Sequence, residues 1–347
     1  MLKDVECKCQ IVKNFAPSWF ASVMGTGVFA ITSMFYSEYI PSLKYLAFFL
    51  YYLNIILFFS LLVPWVLRWV FFRESAIKDL KHPVFSNFYA TIAIAMLVLS
   101  SDFMVIGKNT LFGEMFWFIG APLTIFFAIL TPYIVFSGEH VKIDHINPAW
   151  FIPPVGLIVI PMSGSLLIGN FTGIAKEAVI FLNYFGWGSG FFLYLSLLAV
   201  CMYRFILHHP LPSTLAPTIW INLGPIGAGS LALINLVSAS SFISIKEPFF
   251  IFSLLLWGFG IWWVIMAVVM TIHYIKNIEL PYALSWWAFT FPLGAYVASS
   301  HVISGIFDIR LIDHIGFSLY WLLFFLWALT TIRTAVNAYN GTIFQHR

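Results

Sequence analysis

Charge is what this sequence has least of. Asp, Glu, Lys and Arg make up 9% of its 347 residues, against 61% hydrophobic and 19% aromatic. So little charge cannot solvate the surface of a soluble domain, and the chain reads as membrane-embedded from end to end. Cysteine is scarce too. Cys7 and Cys9 lie near the N-terminus and Cys201 lies in an apolar run, which suggests no disulfide framework and leaves plain thiols as the expectation. The Cys7–Cys9 pair has no further ligands beside it to complete a metal site. Residues 1–14 mix Lys3, Lys8 and Lys13 with Asp4 and Glu6 and hold no apolar stretch, so they read as a short tail and not as a signal peptide.

Several function classes fall with these absences. The Gly224-Pro-Ile-Gly-Ala-Gly229 run has no Gly-Lys-Ser or Gly-Lys-Thr after it and lies inside an apolar segment, so close packing and a helix break account for its glycines better than a phosphate loop. A haem would need histidines on facing helices, yet only His301 sits well inside an apolar segment, with His273 near an end. Glu139-His140, Asp144-His145 and His208-His209 fall in loops, where solvated histidines are the ordinary outcome. There is no basic cluster for nucleic acid, and no catalytic set, cofactor motif or metal site is expected.

What is present is a series of ten apolar segments of spanning length, at about 15–36, 43–72, 84–106, 112–136, 149–168, 178–207, 215–243, 249–275, 285–307 and 315–339. They predict an all-α integral membrane protein: one domain over 15–340, with tails at 1–14 and 341–347. Twelve of the 17 Lys and Arg fall on the N-terminal side of the predicted spans. Only Lys44, Lys108, Lys176, Lys246 and Arg310 fall on the other, which predicts both termini in the cytoplasm of a cell-membrane protein. Pro17, Pro83, Pro148 and Pro217 stand at the mouths of the first, third, fifth and seventh segments, a period of roughly 66 residues that extrapolates to Ser285 at the ninth. Each repeat is therefore one helical hairpin.

Helix breakers follow the mouths in four of the five odd segments: Gly25 and Gly27, Pro153 and Pro154, Gly224 and Pro225, Pro292 and Gly294. The third segment has none and is expected to be regular. Interrupted backbone at membrane depth is tolerated only where protein or a wet cavity receives it, so the odd segments are predicted to form an inner ring and the even ones an outer ring. The stretch 286–301 is the clearest case, and Phe291 stands just before its proline. No Asp, Glu, Lys or Arg is expected in the core of an odd segment. Hydroxyls and amides replace them, and Ser22, Thr26, Asn87, Asn222, Ser299 and His301, with Pro225 and Pro292 at the breaks, are the candidate pore and substrate residues. Asn222 could donate to a carboxylate without the cost of a buried charge, and His301 is the best-placed group for proton coupling. Half-helix N-termini, with N–H groups left unpaired, would give the neutral pore a partial preference for anions. Most Ser and Thr in membrane helices nevertheless bond their own backbone.

The first span, Asn14-Phe-Ala-Pro-Ser-Trp-Phe-Ala-Ser-Val-Met-Gly-Thr-Gly27, together with Trp286-Trp-Ala-Phe-Thr-Phe-Pro292, resembles the tellurite-resistance and dicarboxylate transporter family. That family takes in slow anion channels, malate permeases and sulfite exporters. The resemblance covers essentially all ten segments and is nearest in motif to the malate-permease and sulfite-exporter branch. It implies five hairpins around a quasi-five-fold central pore, homotrimers with one pore per subunit, and a match of Phe291 to an occluding phenylalanine. It also implies C4-dicarboxylate transport, malate first, with a passive gated anion channel and a sulfite exporter as the alternatives.

Overall fold

The computed structural model describes residues 9–138 and 141–345. Lys3, Asp4, Glu6, Cys7, Lys8, Glu139 and His140 lie outside them. The described residues fold into helices in the order α1 (Cys9–Lys13), α2 (Ala21–Phe35), α3 (Leu43–Phe71), α4 (Arg73–Leu80), α5 (Ala90–Val105), α6 (Thr110–Phe136), α7 (Ile152–Leu167), α8 (Gly173–Leu207), α9 (Leu223–Ala239), α10 (Glu247–Asn277), α11 (Phe291–Phe307) and α12 (Arg310–Asn340). Five antiparallel pairs result: α2 with α3, α5 with α6, α7 with α8, α9 with α10, and α11 with α12. The first member of each pair packs on the first members of its two neighbours, α2–α5–α7–α9–α11 and back to α2, which closes a ring of five.

Burial separates the two layers. From 83 to 94% of the residues in the apolar windows of the first four inner spans are buried, against 22 to 33% in the five outer ones. The outer helices therefore present their apolar side chains to lipid, which takes over the role of a core on that face. Among the described residues nine segments form helices long and apolar enough to cross a bilayer. The tenth is divided: a turn at Thr290 separates the 3-10 segment Leu284–Phe289 from α11, within the stretch that the proline pattern marks as interrupted.

The other inner spans bend by a different device from the one expected. Each begins in a 3-10 segment, Pro17–Phe20, Phe85–Tyr89, Pro148–Phe151 or Ser213–Asn222, and passes directly into its α-helix. The third span does so without proline or glycine at the transition, contrary to its predicted regularity. Hydroxyls explain the difference. Ser22 donates to the Trp19 carbonyl (2.7 Å), Thr91 to Phe88 (2.6 Å), Thr218 to Leu215 (2.6 Å) and Thr290 to Trp287 (2.8 Å). In each case the donor lies three residues after its acceptor, the spacing of a 3-10 turn; Ser22, Thr91 and Thr290 reinforce that turn where it meets the helix, and Thr218 does so inside its own segment. Gly25 and Gly27 break nothing, since α2 runs through both. They are close-contact positions: a Cβ on Gly27 would come within 2.7 Å of both Asn54 Nδ2 and Asp102 Oδ2.

Asp102 lies in an inner span, outside the core that is expected to be free of charge. It is fully buried near the end of α5, where Asn54 Nδ2 of α3 donates to its Oδ2 at 3.0 Å. A buried carboxyl keeps such a place only while hydrogen-bonded. Asn54→Leu removes that donor and should cost about 1–3 kcal/mol, read as a lower thermal midpoint in detergent. An unchanged midpoint would mean that Asp102 does not depend on Asn54. Cys201 is a free, buried thiol, as expected.

Candidate functional site

A cavity of about 290 Å³ opens at the mouths of the inner spans, bordered by Pro17, Ser18, Phe85, Thr214 and Ser285. It shares Phe88, Leu284 and Ser285 with a second, narrower space of about 40 Å³ on the ring axis. All five inner spans wall that constriction: Met24 from the first, Thr91 from the third, Val155 from the fifth, Thr218 and Gly224 from the seventh, Phe291 and Pro292 from the ninth. A water needs roughly 10–15 Å³ measured this way, so the constriction takes a few waters and not an anion with its hydration shell. Among the described residues, no charged one lines either space.

Phe291 is 3% exposed and opens α11 directly after the Thr290 turn. That turn is held from both sides. Trp287 donates its indole N–H to Thr334 Oγ1 of α12 at 3.1 Å, and Thr290 lies against Gly25 of α2, where a Cβ would come within 2.8 Å of Thr290 Cβ. Gly294 N–H returns to the Thr290 carbonyl at 2.8 Å. The ring of Phe291 therefore projects from the one inner span that is interrupted by a turn among the described residues, and that backbone is clamped between two neighbours.

The hydroxyls on the axis have already spent their protons. Besides its bond to Phe88, Thr91 lies 2.8 Å from the Pro17 carbonyl, and Ser285 donates to the Thr214 carbonyl at 2.5 Å. Thr218 donates to Leu215. The backbone N–H groups at the transitions are also engaged: Ala21 bonds the Ser18 carbonyl, Ile152 that of Ala149, Leu223 that of Trp220 and Thr290 that of Trp287. At these four transitions the N–H expected to be unpaired turns instead to a carbonyl of the 3-10 segment. What remains for an anion is the aligned positive end of five helix dipoles.

Of the candidate residues read from the sequence, Phe291 and Pro292 line the constriction. The others meet protein elsewhere. Ser22 and Ser299 donate to their own helix at Trp19 and Tyr296, and Thr26 Oγ1 receives the Trp327 indole N–H from α12 at 3.0 Å. Asn87 donates to the Pro83 and Val84 carbonyls and borders a side cavity with Thr131 and Trp150. Asn222 is fully buried beside the Tyr194 hydroxyl of α8, with neither amide atom in a hydrogen bond of good geometry. Pro225 sits in the first turn of α9. His301 Nδ1 lies 3.1 Å from Asp313 Oδ1, its ring stacked on Phe35, near the far end of α11. The Tyr39 hydroxyl donates to the same carboxyl, and that bond, ahead of burial, raises the Tyr39 phenol above its ordinary value.

Met24, Val155, Thr218 and Ser285 were missed as site residues. The repeat could have found the constriction. Met24, Val155, Gly224 and Pro292 each stand seven residues past their mouths at Pro17, Pro148, Pro217 and Ser285, and Thr91 stands eight past Pro83.

Five pseudo-repeated hairpins around a narrow, uncharged axial space define a membrane protein of the channel and transporter class. The chain belongs to the voltage-dependent anion channel family, SLAC1, whose profile matches residues 14–335. It is 59% identical over 345 residues to an uncharacterized transporter of Methanocaldococcus jannaschii, covering 99% of each chain. More distant relatives are a sulfite efflux pump of Arthroderma benhamiae, 23% identical over 96% of this chain and 93% of that one, and the malic acid transport protein of Schizosaccharomyces pombe, 26% identical over 88% and 74%. It is thus a multi-pass membrane protein of an anion-transporting family.

Proposed function

We propose that the protein is a gated passage for small anions along the ring axis, closed in this conformation by Phe291, and that it works in the cell membrane with both termini cytoplasmic. The observation that carries this reading is the constriction itself, walled by all five inner spans and by Phe291 at the interrupted one. A narrow apolar neck dewets, and an anion that cannot shed its hydration does not cross it. Trimeric assembly is the state that resemblance to the family implies, with one such passage in each subunit.

Among substrates, a compact anion of sulfite size fits the lining better than malate. A C4 dicarboxylate asks for donors at two separated places, whereas the axial hydroxyls already donate to backbone carbonyls. Malate is the second reading, favoured by the likeness to the S. pombe malic acid transport protein. Proton coupling would rest on His301, which lies beside Asp313 and away from the constriction. Flux of labelled sulfite, malate and chloride into proteoliposomes, with and without an imposed pH gradient, separates these cases. Sulfite and chloride entering faster than malate, independently of the gradient, is the expected result. Gradient-driven malate uptake alone would replace this reading with a coupled dicarboxylate carrier.

A further inference from the structure

Two oxygens at one contact between α3 and α5 are left without a donor: Asn54 Oδ1 and Asp102 Oδ1 are both buried and have no hydrogen-bond partner. Between the same two side chains one bond is made, Asn54 Nδ2 donating to Asp102 Oδ2 at 3.0 Å. Both residues are fully buried. An ionised carboxyl only accepts hydrogen bonds. As a carboxylate, Asp102 would therefore face a single neutral amide and leave its other oxygen bare.

Its surroundings offer no opposite charge. Among the described residues no basic group pairs with Asp102, and Asn54 is the side chain that acts on its carboxyl. From α2 the approaching residue is Gly27, and from α3 the Tyr51 phenol is the other titratable group within electrostatic reach. The acid of α6, Glu114, accepts instead from Asn170 at 3.0 Å, and Lys108, beyond the end of α5, is exposed. Asp102 also stands in the last turn of α5, where its own carbonyl accepts from the Ile106 and Gly107 N–H groups. That is the negative end of the helix dipole, which repels a carboxylate. A buried carboxyl so placed is kept neutral rather than charged.

We propose that Asp102 is a proton-binding site, occupied in this closed conformation, with Asn54 as its partner. A proton on Asp102 Oδ1 removes the charge and turns that oxygen into a donor. Asn54 Oδ1, on the amide that already faces the carboxyl, is the acceptor left for it, so the two side chains form an acid–amide pair closed by two hydrogen bonds. Gly27 makes the room, since a Cβ there would come within 2.7 Å of both partners. The site thereby ties α3 to α2 and α5, the two helices that bring Met24 and Thr91 to the constriction. It does not depend on which anion the axis carries.

Infrared spectroscopy of the full chain in lipid vesicles reads the proton directly, because a protonated carboxyl has a C=O stretch that a carboxylate lacks. At neutral pH the parent should show such a band that Asp102→Asn loses and that Asp144→Asn, in a loop, retains. Asn54→Leu removes the donor to the carboxyl C=O and should move the same band to higher frequency, a reading available even where Asp102→Asn does not fold. Linkage supplies a second measurement. The folded chain holds a proton that an unfolded aspartate releases above about pH 4, so this contribution to stability is complete in acid and fades as pH rises. Above that value the parent should lose up to about tenfold in its folding equilibrium per pH unit relative to Asp102→Asn, read as a thermal midpoint that falls more steeply. Parent and Asp102→Asn spectra alike in that band, a band unmoved by Asn54→Leu, or midpoints with equal pH dependence would each overturn the proposal.

Discussion

Phe291→Ala should open the axial passage, raising chloride efflux from proteoliposomes by about tenfold or more, because removing only about 1.4 kcal/mol of barrier gives that factor. The ring fills a neck that otherwise holds a few waters, and its loss both widens and wets the neck. A competing effect is the void left behind. Truncating a buried phenylalanine in a sealed core costs about 3–5 kcal/mol, but this ring borders a cavity that water can enter, which lowers the cost. Phe291→Leu keeps most of the volume and should leak less than the alanine variant while folding as well as the parent. Phe181→Ala, on the outer face at 66% exposure, should leave efflux unchanged. A Phe291→Ala protein as tight as the parent would place the gate elsewhere.

Gly227→Ala should damage the fold itself. A Cβ there would lie 2.6 Å from the Ala295 carbonyl carbon and from Tyr296 Cα, so α9 meets the backbone of α11 with nothing able to move aside. Alanine gains about 1 kcal/mol of helix propensity over glycine, whereas overpacking costs about 1–3 kcal/mol and more when the obstacle is main chain. The collision wins, and the thermal midpoint should fall, with less folded protein recovered. Gly258→Ala on α10 supplies the contrast, since a Cβ there meets nothing within 4 Å. It should be neutral or slightly stabilising. Equal midpoints for the two variants would mean that α9 and α11 do not touch at Gly227.

The ring of hairpins was readable because lipid imposes it. Outer helices must be apolar all round, inner ones can tolerate prolines, and the 66-residue spacing of Pro17, Pro83, Pro148 and Pro217 records the repeat. Phe291 is marked in the sequence by the proline that follows it, but its gating role comes only from resemblance, since one phenylalanine among 38 does not declare such a role. The polar candidates were harder. Ser22 and Thr218 are alike in sequence and both back-bond three residues upstream, yet only Thr218 reaches the axis. Which face of a helix turns inward depends on the roll set by its neighbours, and a short hydroxyl leaves no hydropathy signal of that roll. Thr26 was unreadable for a related reason, its partner Trp327 being some 300 residues away. Asp102 was hidden by its place near a helix end, where a charge would ordinarily meet water.

Cysteine modification on the axis tests most directly whether anions pass there. In a Phe291→Ala background, Thr218→Cys puts a thiol in the wall of the constriction, and Thr26→Cys puts one behind it, beneath Trp327. A charged methanethiosulfonate reagent should block chloride efflux through the Thr218→Cys protein and leave the Thr26→Cys protein conducting. Efflux unaffected by modification at Thr218→Cys, or blocked only at Thr26→Cys, would contradict a passage along the ring axis.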